Sequence, residues 1–191
     1  MHFNTIKGGE IAPPLRTFII KGEITMKLIS GGVCAAQGFK ASGIHCGIRK
    51  NHTKKDLALI VSDVPASAAA VYTTNLVKGA PLTVTKNNIA DGIAQAVICN
   101  SGNANTCNYN GIEIASGMCA LVEQHTGIAA KNVVVASTGV IGQVLDLTPI
   151  ANGMPSLVSG LSVPGAADAA QAITRSGICL REEEKVWRGV V

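Results

Sequence analysis

The sequence predicts a single α/β domain with a mixed sheet. At 191 residues the chain is long enough to bury one substantial hydrophobic core. Apolar residues make up 47% of it and charged residues only 15%, which excludes an intrinsically disordered chain. With 21 Gly and 3% aromatic residues, most side chains are small, as closely packed helix and sheet layers require. In the second half, strand-like and helix-like segments alternate, which favours the α/β class.

Alternating or continuous β-branched patterns predict five strands. The segment "PLTVTKNN" alternates Leu82 and Val84 with Thr83 and Thr85, as a half-buried strand does. The run "GIAQAVICN" ends in uninterrupted apolar residues, typical of a strand buried on both faces. The predicted strands are 56–64, with a turn at 63–65, then 68–75, 81–88, 92–100 and 132–137.

Helical spacing predicts three helices. Residues 111–127 form the first of them, with an apolar stripe at positions 114, 115, 118, 119, 121 and 122. Gly127 is a suitable residue to end it. Before this helix, the Asn- and Gly-rich segment 100–111 predicts a loop, because these residues tolerate left-handed backbone. Two shorter helices are predicted at 148–161 and 164–174.

The charge pattern excludes several function classes. The formal net charge is +4, and its densest basic cluster, residues 49–55, contains no aromatic residue for base stacking. We therefore interpret that cluster as a solvated loop and expect no nucleic-acid partner. No apolar run approaches the roughly 18 residues that cross a bilayer, so no membrane partner is expected either.

The cysteines predict neither disulfides nor a metal site. They show no C-x-x-C pair and no zinc-ligand spacing, and they stand at positions 34, 46, 99, 107, 119 and 179. Cys99 and Cys119 lie in apolar runs, where a free cysteine behaves as a small hydrophobe. His125, near Cys119, is expected at a helix end and not as a metal ligand. A reducing, cytoplasmic compartment fits this usage best.

The composition changes at both ends of the chain. Residues 1–25 hold two of the three Phe, and residues 175–191 carry seven charges in seventeen positions. Met26 begins a stretch that resembles the middle of the chain. The expected organisation is thus an N-terminal extension over 1–25, a domain over 26–174 and a divergent charged tail over 175–191.

The stretch "VVVASTGVIG", residues 133–142, is the candidate site. A buried strand is expected to end at Ser137, Thr138 and Gly139. Glycine lets the backbone turn so that its N–H points outward, and threonine adds a hydroxyl donor. Two neutral donors at one point suit an oxygen that becomes negative during acyl transfer.

Other interpretations of this stretch stay open from the residues alone. Thr138 could cap a following helical turn while Gly139 permits the bend. A phosphate loop is disfavoured, since no Lys follows at the required spacing and G-x-G-x-x-G is absent. Ser137 as a nucleophile needs a base, and the sequence places none of the histidines, His45, His52 or His125, beside it.

Four stretches resemble one family. They are "GGVCAAQGFKASGIHCGIRK" (31–50), "KKDLALIVSDVPASAAAVYTTNLVKGAP" (54–81), "ICNSGNANTCNY" (98–109) and "VVVASTGVIG" (133–142). Residues 28–161 are thereby similar to the amino-terminal half of the ornithine acetyltransferase (glutamate N-acetyltransferase) family. The resemblance implies an α/β fold like that of amino-terminal-nucleophile hydrolases, a layered helix–sheet–sheet–helix sandwich of which only the first half is present.

The resemblance also implies a function and a site. Members cut themselves at an Ala-Thr bond, and the new amino-terminal Thr carries acetyl from N-acetylornithine to glutamate by a ping-pong cycle without metal or cofactor. Their two α and two β chains form a heterotetramer, and acetyl-CoA is a possible further substrate. Carried over, Thr138 and Gly139 form the oxyanion hole, and Thr174 is a candidate substrate contact.

The sequence also departs from the family. Members have roughly twice this length, and their Thr-Thr-Asp-Thr motif is replaced after Thr174 by "RSGICLREEEKVWRGVV". The nucleophile and the self-cleavage site are therefore expected to be missing, and the chain alone is expected to be inactive. The alternatives are a non-catalytic truncated product that binds partner chains, or a carbohydrate or nucleotide binder.

Overall fold

The computed structural model describes residues 29–174. The predicted extension 1–25 and tail 175–191 lie outside the described residues, so the domain boundaries stay predictions. The described part contains four strands and four α-helices: β1 (Phe39–Ile44), β2 (Leu57–Ser67), α1 (Ala80–Asn88), β3 (Ile93–Asn103), α2 (Gly111–Thr126), β4 (Val133–Val140), α3 (Thr148–Ser159) and α4 (Ala166–Ile173).

The four strands form one mixed sheet in the order β1-β2-β3-β4. The β1–β2 and β2–β3 pairs are antiparallel, whereas β3 and β4 are parallel and joined through α2. The α/β class and the mixed pairing are confirmed. Residues 29–174 contribute a single sheet, so the second sheet of the expected sandwich is not among them.

Each face of the sheet has its own core. Leu57, Leu59 and Ile98 are completely buried in the larger cluster, which also contains side chains of α2 and α3. Ala58 lies between the two leucines and points to the opposite face, because successive strand residues alternate. There it meets a smaller cluster of α4 alanines, of which Ala169 is one. The small side chains inferred from the composition are what let α4 pack closely on this face.

The predicted strand over 81–88 is wrong, because these residues form α1. The helix begins with Pro81 in its first turn, a position where the missing N–H costs nothing. Its buried residues are Pro81, Val84 and Thr85, which have the three- and four-residue spacing of a helix face. The alternation of Thr and apolar residues was therefore misleading, since Thr85 is buried and Thr83 is exposed.

Two other expectations in the first half also fail. Residues 68–75 form no strand, and Val71 is 99% exposed. The expected turn at 63–65 is an irregularity inside β2, where the register shifts between Val61 and Ala66 and the strand then continues. Strand β1 was not predicted, because its buried centre, Ala41–Ser42–Gly43, is too small and polar to give a hydrophobic pattern.

The second half agrees more closely with the sequence. Helix α2 ends at Thr126, and Gly127 follows with φ of 76°, as expected of a glycine that ends a helix. Helices α3 and α4 lie within the predicted segments 148–161 and 164–174. The basic cluster lies in the loop between β1 and β2, where residues 50–54 are exposed. No helix within residues 29–174 is long and apolar enough to cross a membrane.

Candidate functional site

Two of the stretches that resemble the family, "ICNSGNANTCNY" (98–109) and "VVVASTGVIG" (133–142), meet at one edge of the sheet. Because β3 and β4 are parallel, their carboxyl ends lie side by side, with Ser101 opposite Thr138 and Gly102 opposite Gly139. Strand β4 does not end at Ser137 but continues to Val140. No helix follows Thr138 directly, since α3 begins at Thr148, so the helix-capping interpretation is wrong.

Helix α1 covers the first part of the outer edge of β4. The Thr85 hydroxyl accepts a hydrogen bond from the N–H of Val135 at 3.0 Å and donates to its carbonyl at 2.9 Å. Asn88 Nδ2 donates to the carbonyl of Val133 at 2.8 Å. The backbone groups of residues 133 and 135 therefore point away from β3.

The amide of Gly139 points to the same outer edge. Backbone groups of a strand alternate in direction, so residues 137 and 139 face the way Val135 does. The Val140 carbonyl, in contrast, accepts the N–H of Ala104, the residue after β3, at 2.8 Å. The backbone groups of the even-numbered residues of β4 therefore point toward β3. The Gly139 N–H is thereby directed outward, as the oxyanion interpretation requires.

Only glycine fits at position 139. Its φ is 143°, a conformation that L side chains rarely adopt, and a Cβ there would overlap the backbone of Gly102 and Asn103. The close approach of the two backbones, and not a turn, is therefore the reason for this glycine. The sequence had attributed it to a turn.

Thr138 and Ser137 point to opposite faces. The Ser101 hydroxyl donates to the Ala172 carbonyl on α4, so Ser101 and its partner Thr138 lie on the α4 side. Thr138 is half-buried there. Ser137 shares the face of Val135, which belongs to the larger core.

Ser137 borders a small cavity between β4 and α1. Its Oγ is buried and has no hydrogen-bond partner among the described residues. The cavity has a volume of about 230 Å³ and is lined by Gly79, Pro81, Leu82, Ala104, Thr106, Val135, Ala136 and Ser137. The cavity and the free hydroxyl lie beside the outward-facing edge of residues 137–139.

The described histidines lie far from Ser137. His45 follows Ile44, which is three strands from Ser137 along the row Ile44–Leu57–Asn100–Ser137. Strand spacings of about 4.8 Å make that separation roughly 14 Å. Helix α2 begins near the site end of the sheet, and its 16 residues span about 24 Å. His125 is in its last turn and therefore lies at the far end of the helix from Ser137. Ser137 therefore has no histidine base within residues 29–174, and His125 is at a helix end as expected.

The asparagines of "NSGNAN" hold the loop that follows β3. Asn105 is completely buried, has φ of 48°, and donates from Nδ2 to the Gly111 carbonyl at 2.9 Å. Asn103 Nδ2 donates to the Gln143 carbonyl at 3.0 Å, which connects this loop to the chain after Gly139. Asn100 Nδ2 donates to the Asn103 carbonyl at 2.9 Å. These contacts are structural and fix the two motifs relative to each other.

Thr174 ends α4 on the Thr138 side of the sheet. Its hydroxyl donates to the Ala170 carbonyl at 2.8 Å, and its own carbonyl accepts from Arg49 Nη2 at 2.7 Å. Ala172, two residues earlier, contacts Ser101. Thr174 and Thr138 therefore share a face and the same end of the sheet. Arg49 was not identified from the sequence, because its role depends on the distant end of α4.

Cys99 and Cys119 are buried small hydrophobes, and Cys46 is half-buried. Burial raises the pKa of Cys99 and of Cys119 to about 11. Burial and the neighbouring Asp56 carboxylate raise the pKa of Cys46 to about 12. These three thiols are therefore protonated at neutral pH, which makes them poor nucleophiles and poor metal ligands. Among residues 29–174 there is no group of three or more His, Cys, Asp or Glu side chains that could hold a metal ion.

Comparison with known proteins identifies the family. The model of the ArgJ family matches residues 40–184, about three quarters of the chain. The chain belongs to the ArgJ family. The arginine biosynthesis bifunctional protein ArgJ of Bacillus anthracis is 43% identical over 166 residues, covering 86% of this chain and 40% of that protein. The Symbiobacterium thermophilum protein of the same name is 45% identical over 150 residues, covering 78% and 37%.

The ArgJ-family chain spans about 40% of the length of these curated relatives. Among solved structures, ArgJ from Bacillus halodurans matches with a TM-score of 0.71 at 43% identity, covering 78% of each chain. Ornithine acetyltransferase from Mycobacterium tuberculosis, complexed with ornithine, matches with a TM-score of 0.70 at 35% identity, covering 78% of this chain and 81% of that one. ArgJ structures have the fold of amino-terminal-nucleophile hydrolases, so the fold expected from the sequence is confirmed.

Proposed function

We propose that this ArgJ-family chain supplies the oxyanion hole of an enzyme that transfers acetyl from N-acetylornithine to glutamate. The proposal is carried by the register of β4, which directs the Gly139 N–H to the outer edge of the sheet, one residue after the half-buried Thr138. The relative from Mycobacterium tuberculosis, an ornithine acetyltransferase solved with ornithine, supports the substrate class.

In the first half-reaction, a threonine hydroxyl attacks the acetyl carbonyl of N-acetylornithine. Its Oγ forms a bond to the carbonyl carbon, and its proton passes to the α-amine of the same threonine. The carbonyl electron pair moves to oxygen, where Thr138 Oγ–H and Gly139 N–H donate to the negative charge. Collapse breaks the C–N bond, the α-ammonium returns the proton to the leaving amine, and ornithine departs.

The second half-reaction reverses the chemistry with another amine. The α-amine of glutamate attacks the acetyl-threonine ester and passes a proton to the α-amine of that threonine, while the same two donors stabilise the second tetrahedral oxyanion. Breaking the C–Oγ bond returns this proton to Oγ, releases N-acetylglutamate and restores the threonine. Neutral donors suit both steps, because their hydrogen bonds strengthen as the carbonyl oxygen becomes negative and are weaker to the resting amide or ester.

The proposal assigns the remaining parts to other segments. The nucleophilic threonine comes from a segment outside these 191 residues, as part of a heterotetramer of two α and two β chains. Thr174 is a candidate substrate contact, since it lies on the face and at the end of the sheet where Thr138 lies. Acetyl-CoA is a further candidate acetyl donor.

The decisive experiment compares Thr138→Val with Thr138→Ser in the complete enzyme that contains this chain. The valine removes the hydroxyl at constant shape, and we expect kcat to fall by about 10²–10³ with KM nearly unchanged. The serine variant keeps a donor and should recover most of the rate. An unchanged turnover number in Thr138→Val would remove this residue from the oxyanion hole.

A second candidate function is a non-catalytic module that associates with partner chains. Large apolar side chains are strongly exposed within residues 29–174, with Leu76 at 99% and Tyr109 at 90%. Exposed apolar side chains mark an interaction site where they form one continuous patch, which is what this candidate function requires of them. The nucleotide sequence past codon 174 discriminates the two: a shifted frame that encodes Thr-Thr-Asp-Thr and an Ala-Thr bond favours the enzyme, and a stop without one favours the module.

A further inference from the structure

The imidazole rings of His45 and His52 face each other in the loop between β1 and β2. The distance from His45 Nε2 to His52 Nδ1 is 3.2 Å, and the two rings are inclined at 74°. Asn51 Oδ1 accepts hydrogen bonds from the N–H and the hydroxyl of Thr53, which forms the turn that presents His52. Neither histidine has a role in the proposed acetyl transfer.

His45 is held in one tautomer. Its Nδ1 lies 2.9 Å from the Lys54 carbonyl oxygen and 3.1 Å from Asp56 Oδ2. Both neighbours are acceptors, so Nδ1 carries the hydrogen and donates it. In the neutral ring Nε2 is then left with its lone pair, directed at His52.

The Asp56 carboxylate is itself rigidly placed. It is completely buried and accepts backbone N–H groups from Cys46 at 2.7 Å and from Arg49 at 2.9 Å. The Nδ1 hydrogen of His45 points to the Lys54 carbonyl oxygen, and the buried Asp56 carboxylate lies 3.1 Å from the same nitrogen. An acceptor for the Nδ1 hydrogen orients the ring and makes Nε2 a better ligand. Histidines that bind metals in proteins have ring orientations fixed in this way.

We propose that His45 Nε2 and His52 Nδ1 bind one divalent metal ion of the zinc class, with water completing its coordination. Two Zn–N bonds of about 2.0–2.1 Å at a tetrahedral angle place the nitrogens roughly 3.3 Å apart. The observed 3.2 Å matches that separation. To bind the ion, the exposed His52 ring turns so that both lone pairs converge on it, and His52 changes tautomer so that its Nδ1 presents a lone pair.

The surroundings define what the site accepts. Two neutral nitrogen ligands select zinc and its neighbours over Mg²⁺ and Ca²⁺, which prefer oxygen. His45 is partly exposed and His52 is exposed, so water ligands have room. Lys50 and Lys54 are exposed cations of the same loop and repel a metal ion. Salt screens that repulsion, so the affinity should increase with ionic strength.

The test is a Zn²⁺ titration of the full chain at pH 7.5, followed through the ring nitrogens of each histidine by long-range ¹H–¹⁵N NMR. The protein carries His2→Ala, Cys107→Ser and Cys179→Ser, so that these groups do not compete for zinc. We expect His45 Nε2 and His52 Nδ1 to shift together with one half-saturation point. His52→Ala, an exposed side chain, should weaken the zinc response of His45 at least about tenfold.

His125→Ala is the matched control and should leave the titration unchanged. The proposal is overturned if the two rings respond at different zinc concentrations, or if His45 keeps its response in His52→Ala. It is also overturned if neither ring responds up to about 1 mM Zn²⁺, which would leave a plain hydrogen bond between the rings. None of these outcomes depends on acetyl transfer.

Discussion

The hydroxyl of Thr85, on α1, satisfies both backbone groups of Val135, on β4. It accepts the Val135 N–H at 3.0 Å and donates to the Val135 carbonyl at 2.9 Å. Among residues 29–174 no strand pairs with this edge of β4, and one side chain supplies the backbone partners here instead. Two residues further along, the edge presents Ser137 and then the amide of Gly139, where we place the oxyanion hole.

Thr85→Val should lower the free energy of unfolding by about 2 kcal/mol, because it leaves a buried N–H and a buried carbonyl without partners. Thr83→Val is the matched control, since Thr83 is exposed on the same helix. Urea unfolding followed by circular dichroism measures both variants. Equal stabilities would mean that the edge of β4 finds other partners.

Gly139→Ala should destabilise the protein by about 3 kcal/mol or more. Its φ of 143° is unfavourable for alanine, and the added Cβ overlaps the backbone opposite, so β3 and β4 must separate. Gly142→Ala is the control for the conformational effect alone: φ is 78° there, but no atom lies within 4 Å of the added Cβ. We expect about 1 kcal/mol for it. Comparable losses for the two variants in thermal unfolding would contradict the close approach.

The 191-residue chain by itself should neither cleave itself nor move acetyl from N-acetylornithine to glutamate. It contains no Ala-Thr pair that could release a threonine with a free α-amine, and the oxyanion donors have no acetyl-enzyme to stabilise without one. Ornithine release measured by mass spectrometry should equal that of a boiled sample. Turnover above that level would assign the acetyl group to another residue, with Ser137 the first to test.

A chain that starts at Met26 should be as soluble and as thermally stable as the longer one. Residues 1–25 share neither the small-residue composition of the domain nor its family resemblance. Differential scanning calorimetry of both forms measures the effect. A melting temperature lowered by more than a few degrees would show that this segment packs on the domain.

The segments that form the core of the sheet could be predicted because their signals are local. Strands β3 and β4 are continuous apolar or β-branched runs, and α2 has a helical stripe that ends at Gly127. The motifs at the ends of β3 and β4 then pointed to the ArgJ family and to Thr138 and Gly139. A family model that matches residues 40–184 confirms the family, while the roles of the two residues stay predictions.

The sequence by itself determined the α/β class, the family and the residues of the candidate site. Only the tertiary structure decided that residues 80–88 form a helix, because the buried position of Thr85, which marks the helix face, depends on its bond to a strand 50 residues away. The tertiary structure also showed that Gly139 is needed because the backbone of Gly102 lies close to it, and not because of a turn. The direction of its amide, toward the part of the β4 edge beyond α1, likewise follows from the strand register. Local patterns carry no information about such contacts, since they depend on which strands lie side by side.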